Sequence, residues 1–174
     1  KVYQMPIGGS TSTGALGYID CMKEIIEYST KEDVYFKNIF HATGSAGTQA
    51  GLVVGKNVTG YNVLINGIAI TKNAGQITNE VEALCTETAK KIETGFKKED
   101  IVVDEGYIGE SYGAETPEAN EAISLFAREE GILLDGVYSG KAAAGMIDYI
   151  TKGKINSEDN LLFIHTGGNI QLFK

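Results

Sequence analysis

The sequence predicts an α/β protein whose mostly parallel sheet is covered by helices on both faces. Three observations carry that expectation. Strand-like apolar runs alternate with amphipathic helical runs from end to end. The segments between strands are long enough to hold helices, which favours parallel pairing through right-handed crossovers. No repeat, linker or low-complexity stretch divides the 174 residues, 43% of them hydrophobic, so a single α/β unit is expected over residues 1–174.

The elements follow in order. Val2 to Ile7 reads as a short strand closed by Gly8-Gly9. Ala15, Tyr18, Met22 and Ile25 then recur at three and four residues while Lys23, Glu24 and Glu27 take the other face, an amphipathic helix that Ser10 or Ser12 can cap. A second strand spans about Val34 to Ala42, and Gln49 to Gly55 reads as a short buried helix. Tyr61 to Ile70 gives a third strand. Ile77, Val81, Leu84, Cys85 and Ile92 form one stripe of a long helix ending at Gly95, and Ile101 to Val103 is a short strand or link. Thr116 before Pro117 and Glu118 marks a helix start, because proline suits the first helical position and acids suit the first turn. That helix ends near Gly131. Ser139-Gly140 opens another, and Leu161 to Ile164 is a last strand stopping at His165-Thr166-Gly167-Gly168.

Composition narrows the function classes. The formal charge is -8, and no basic cluster exceeds the pairs Lys90-Lys91 and Lys97-Lys98, so no footprint for nucleic acid or an anionic membrane is visible. Cys21 and Cys85 match no metal or redox spacing, no apolar run has the length of a membrane span, and a reducing cytoplasm is expected. The sequon Asn57-Val58-Thr59 is then a chance match. The chain has 22 glycines, where an average usage of about 7% would give roughly a dozen, so tight turns and close backbone approaches are expected.

The stretch NIFHATGSAGTQAGLVVG, residues 38–55, concentrates those glycines between two apolar runs. Strand ends leading into helix starts are where open parallel sheets collect ligands. Gly44 and Gly47 permit backbone approach, Ser45 and Thr48 offer hydroxyls, and the helix beyond presents N–H groups at the positive end of its dipole, which suits a phosphate. The same glycines also serve a plain strand-to-helix turn. Neither G-x-x-x-x-G-K-[ST] nor the G-x-G-x-x-G order is present. Other polar clusters stand at strand ends and helix starts: the Gly-Gly-Ser-Thr run at residues 8–11, Tyr112, Tyr138-Ser139 and His165-Thr166. Each alone also reads as a turn, a cap or a core edge.

In order and spacing, MPIGGSTSTGALGY, HATGSAGTQAGLVVG, GESYG, EEGILLDGVYSGKAAAGMID and LLFIHTGGN resemble the C-terminal half of the D-cysteine desulfhydrase and aminocyclopropane-carboxylate deaminase family. These are enzymes dependent on pyridoxal 5'-phosphate, with the tryptophan synthase β-subunit fold. The resemblance implies that Thr43, Gly44, Ser45, Ala46, Gly47 and Thr48 cradle the cofactor phosphate. It implies that Tyr112 and Tyr138 lie beside a small amino-acid substrate, as catalytic residues once a phenol pKa is lowered, and that Thr166 or Ser139 faces the pyridine nitrogen. Deaminase members carry a glutamate where this chain has Ser139. A hydroxyl holds the ring protonated less well than a carboxylate, so elimination of a good leaving group such as thiolate is favoured over ring opening. The lysine that bonds the cofactor lies upstream in that family, and Lys141, the lysine inside a matching motif, has no such role there.

The expectation is therefore the C-terminal portion of a longer lyase, a homodimer when complete, lacking its covalent anchor and inactive alone. A non-catalytic phosphate-ligand module and a nucleotide-binding α/β domain are the competing readings.

Overall fold

The computed structural model describes Val2 and residues 4–168. Helix α1 (Ser12–Lys31) starts at Thr11, whose hydroxyl accepts the Gly14 N–H at 3.0 Å. Neither Ser10 nor Ser12 is the cap: Thr11 is the residue with extended backbone from which a side-chain oxygen reaches the first turn. Strand β1 (Phe36–Thr43) follows, then α2 (Gly47–Thr59), β2 (Leu64–Ala69), α3 (Ala74–Lys91) and the short β3 (Val102–Asp104). Thr116 caps α4 (Pro117–Glu130) through the Ala119 N–H, and Gly131 ends it in the left-handed conformation at φ 67°. Helix α5 (Ser139–Thr151) and β4 (Asn160–Ile164) complete the order.

The strand expected over Val2–Ile7 does not form among its described residues. Val2 is 98% exposed, Pro6 lacks an N–H, and Ile7–Gly9 is a 3-10 turn with Gly8 and Gly9 at φ 70° and 62°. Tyr3 lies outside the described residues.

The four strands form one sheet in the order β3-β2-β1-β4, and every pairing is parallel. Side chains alternate across it. Ile39 and Ile65 face one cluster with Met22 of α1, Val53 of α2 and Val81 of α3, while Phe40, Ala42, Ile68 and Ile70 face Ala142 of α5. Helix α4 packs outside α5 through Ala122, Ala143 and Ala144. Both faces are therefore covered, as the long apolar strands require.

Helices α1 and α2 approach closely through glycines. A Cβ at Gly51 would stand 2.3 Å from the Ala15 carbonyl oxygen, and one at Gly55 2.8 Å from Met22 Cγ. The sheet order then fixes where a ligand can sit. From β1 the chain moves outward through β2 and β3, then returns to place β4 on the other side of β1. A crevice opens at the carboxyl ends of the strands, beside the β1–β4 pair where the strand order reverses.

Candidate cofactor site

That crevice holds a cavity of about 850 Å³. It is bounded by the bend after β1, the 3-10 turn before α1, the end of β2 at Ile70-Thr71, and Tyr112, Tyr138 and Thr166. Of the residues singled out in the sequence, Gly44, Ser45, Gly47, Thr48, Tyr112, Tyr138 and Thr166 line it together. Thr43, Ala46 and Ser139 do not. Thr43 ends β1 buried, Ala46 turns its methyl into the core below α2, and Ser139 is 1% exposed.

The bend is shaped to leave donors open. Gly47 and Thr48 are already the first residues of α2, and the residue before them, Ala46, takes the left-handed conformation at φ 69° and offers no capping side chain. By contrast Thr11, Asn73 and Thr116 cap α1, α3 and α4 with their own oxygens. The N–H groups at the start of α2 thus face the crevice with the helix dipole behind them. The turn at Gly8-Gly9 closes over them: a Cβ at Gly8 would fall 2.2 Å from Ser45 Oγ, and one at Gly47 3.0 Å from Ser10 Oγ. Ser10, Thr43 and Thr71 hydroxyls are buried without a hydrogen-bond partner among the described residues. Buried hydroxyls are rarely left so. A bare helix start beside unsatisfied hydroxyls fits a phosphate ester.

The opposite wall carries the phenols. Tyr112, 55% exposed, and Tyr138 hydrogen-bond through their hydroxyls with the rings edge to face. The hydrogen bond to Tyr112, then burial and the nearby Asp135 carboxylate, push the Tyr138 phenol up to about 12. The sequence reading tied proton relay to a lowered phenol pKa; the shift at Tyr138 runs the other way and keeps the phenol neutral, suited to hydrogen bonding. Its backbone is fixed by Asp135, whose carboxylate accepts the N–H groups of Val137, Tyr138 and Ser139 at 2.8, 2.9 and 2.8 Å and the Ser139 hydroxyl at 2.6 Å. Ser139 is committed to Asp135 and does not line the crevice, so of Ser139 and Thr166 only Thr166 presents a hydroxyl there.

His165 donates from Nε2 to the Leu133 carbonyl at 3.1 Å and accepts the Gly167 N–H at Nδ1. It shapes the turn that carries Thr166. The sequence reading missed Thr71 and Lys72, which line the crevice at the end of β2, with Lys72 paired to Glu80 at 2.6 Å. The strand-end rule applied at Gly44 finds both. It also missed Asp135, whose signal is an Asp-Gly pair four residues before a helix start.

An open parallel sheet with a crevice at its switch point defines the class: an α/β protein of the kind that takes ligands at the carboxyl ends of its strands. Residues 3–167 match the family of pyridoxal-phosphate dependent enzymes. The chain belongs to that family. It is 38% identical over 173 residues to a D-cysteine desulfhydrase of Serratia proteamaculans (strain 568) and 39% identical to one of Yersinia enterocolitica, covering 99% of this chain and 52% of each relative. A crystal structure of an ACC deaminase homologue superposes with a TM-score of 0.84 at 34% identity, over 94% of this chain and 48% of that one. The chain thus spans about half the length of the relatives it matches. No described helix is long and apolar enough to cross a membrane.

Proposed function

We propose that these residues form the phosphate-binding side of a pyridoxal-phosphate lyase acting on a small amino acid, with desulfhydrase-like elimination giving a keto acid, ammonia and sulfide. The observation that carries the reading is the uncapped start of α2 beside the unpartnered hydroxyls of Ser10 and Thr71, which line the same crevice. The amides of the 44–48 bend, with the Ser10 and Thr71 hydroxyls that line the crevice, would hold the phosphate. Bound pyridoxal phosphate supplies the electron sink that labilises bonds at the α-carbon of an amino acid. Thr166 would offer the ring nitrogen a neutral hydroxyl, and Tyr112 with Tyr138 would orient the substrate through hydrogen bonds from their neutral phenols. Lys141 is buried against a backbone carbonyl and Lys72 is paired with Glu80, so neither is assigned the covalent bond to the cofactor in this reading.

The test is titration of the chain with pyridoxal phosphate, followed by the cofactor's visible absorbance, against a nucleoside triphosphate as competitor. Gly44→Val should weaken retention about tenfold or more, because a Cβ there already meets Ile70 Cδ1 at 2.9 Å and a branched side chain would displace the bend. Unchanged retention in that variant, or preference for the nucleotide, sinks the cradle. Sulfide release from D- and L-cysteine, set beside ammonia release from the cyclopropane amino acid, distinguishes the two reactions in the full-length enzyme.

A further inference from the structure

Lys141 lies on the first turn of α5 and is 0% exposed. Lysines this deep are rare unless their nitrogen has a partner. Its Nζ donates to the Ile108 carbonyl at 2.6 Å. Burial lowers its pKa and the Asp135 carboxylate opposes the fall, yet an amine donates to a carbonyl in either protonation state. Ile108 stands at the head of the loop that carries Tyr112, and Tyr138 stands three residues before Lys141.

Among the described residues, three hydrogen bonds join residues 107–115 to α5 and the residue that precedes it. Tyr107 bonds Asp148 at 2.5 Å, the Ile108 carbonyl bonds Lys141, and Tyr112 bonds Tyr138. The first lies toward the far end of α5, and the last is the phenol contact itself. Of the three, the Lys141 bond alone joins the start of the loop to the first turn of α5, four residues before Tyr112 and three after Tyr138. On the helix side Asp135 clamps the Tyr138 amide, and the backbone of Gly168 packs so tightly on it that a Cβ there would fall 2.4 Å from Asp135 Oδ1.

We infer that Lys141 is a positioning residue: it ties the loop bearing Tyr112 to the helix start bearing Tyr138 and thereby sets the spacing of the two phenols that receive the amino acid. The inference rests on the reading of the crevice as the cofactor site. Lys141 touches neither cofactor nor substrate; it acts through Ile108 and the loop.

A spectroscopic double-mutant cycle on the 174-residue chain tests it. With tyrosine ring carbons labelled at Cζ, Tyr112→Phe should move the Tyr138 resonance, because the phenol contact is lost. In a Lys141→Met background, which keeps the apolar stem and removes the donor, that response should fall to half or less. In a Tyr107→Phe background, which cuts another bond between the same loop and helix, it should persist. A full response in Lys141→Met, an equal loss in both backgrounds, or no response in the parent chain overturns the proposal. Should Lys141→Met fail to fold, the same cycle is run with Glu93→Gly added as a stabilising change. Affinity for pyridoxal phosphate should stay within about twofold in Lys141→Met, since the cradle belongs to other elements; a tenfold loss there marks general loosening and also overturns it. If the parent chain binds no pyridoxal phosphate, the cofactor reading falls while the tyrosine cycle still decides the role of Lys141.

Discussion

Glu93 follows the end of α3 at φ 54°, exposed and without an ion pair among the described residues. A side chain in the left-handed region costs about 1 kcal/mol or more, and nothing packed is lost by removing this one. Glu93→Gly should therefore raise stability by roughly 1 kcal/mol in urea unfolding; no gain would mean that the side chain has contacts in solution that offset its backbone strain. Ala46 at φ 69° is the instructive contrast, because its methyl is buried in the core and the strain and the packing nearly cancel. At this scale the sequence showed which residue types gather at strand ends, and Gly44, Ser45, Gly47 and Thr48 do line the crevice. It could not show which hydroxyl of an adjacent pair is consumed. Ser139 and Thr166 look alike in sequence, and only the position of Asp135 separates them.

Helix boundaries were legible where capping chemistry is strong. Thr116-Pro117 opens α4 and Gly131 closes it, as the residue types demand. Thr116→Ala removes the acceptor for the Ala119 N–H in a buried setting and should cost about 1 kcal/mol. Thermal unfolding measures it, and an unchanged midpoint would show that water replaces the cap. Where the pattern was weakest, reading failed: Val2–Ile7 reads as a short strand, but Pro6 leads into a 3-10 turn over Ile7–Gly9 and no strand forms among the described residues. Periodicity reports which face of a segment is apolar, not whether a neighbouring strand is there to pair with it.

For the whole molecule, acid stability depends on a side chain at the centre of the sheet. His41 on β1 is fully buried, donates Nδ1–H to the Ala42 carbonyl at 3.0 Å, and burial pulls its pKa down to about 4. The unfolded chain takes up a proton near pH 6.5, well before the folded chain does. Stability from this group is complete above pH 6.5 and drains away as pH falls toward 4, by roughly 3 kcal/mol in all. His41→Leu should flatten the pH dependence of the unfolding midpoint between pH 6.5 and 4; parallel curves for the two proteins would exclude His41 as the cause. The alternation of strands and helices made the parallel α/β class readable, but the order β3-β2-β1-β4 was not, because sequence names the elements and leaves their neighbours open.

That order also governs how the chain must mature. Strand β1, buried at every position but Lys37, lies beside β2 on one edge, yet its other edge pairs with β4, made more than a hundred residues later. During synthesis the emerging polypeptide therefore carries an open seam of Phe36, Ile39 and Phe40 that could recruit foreign strands. Closing the seam also brings Thr166 to the crevice, so protection from aggregation and completion of that cavity's wall arrive in the same event.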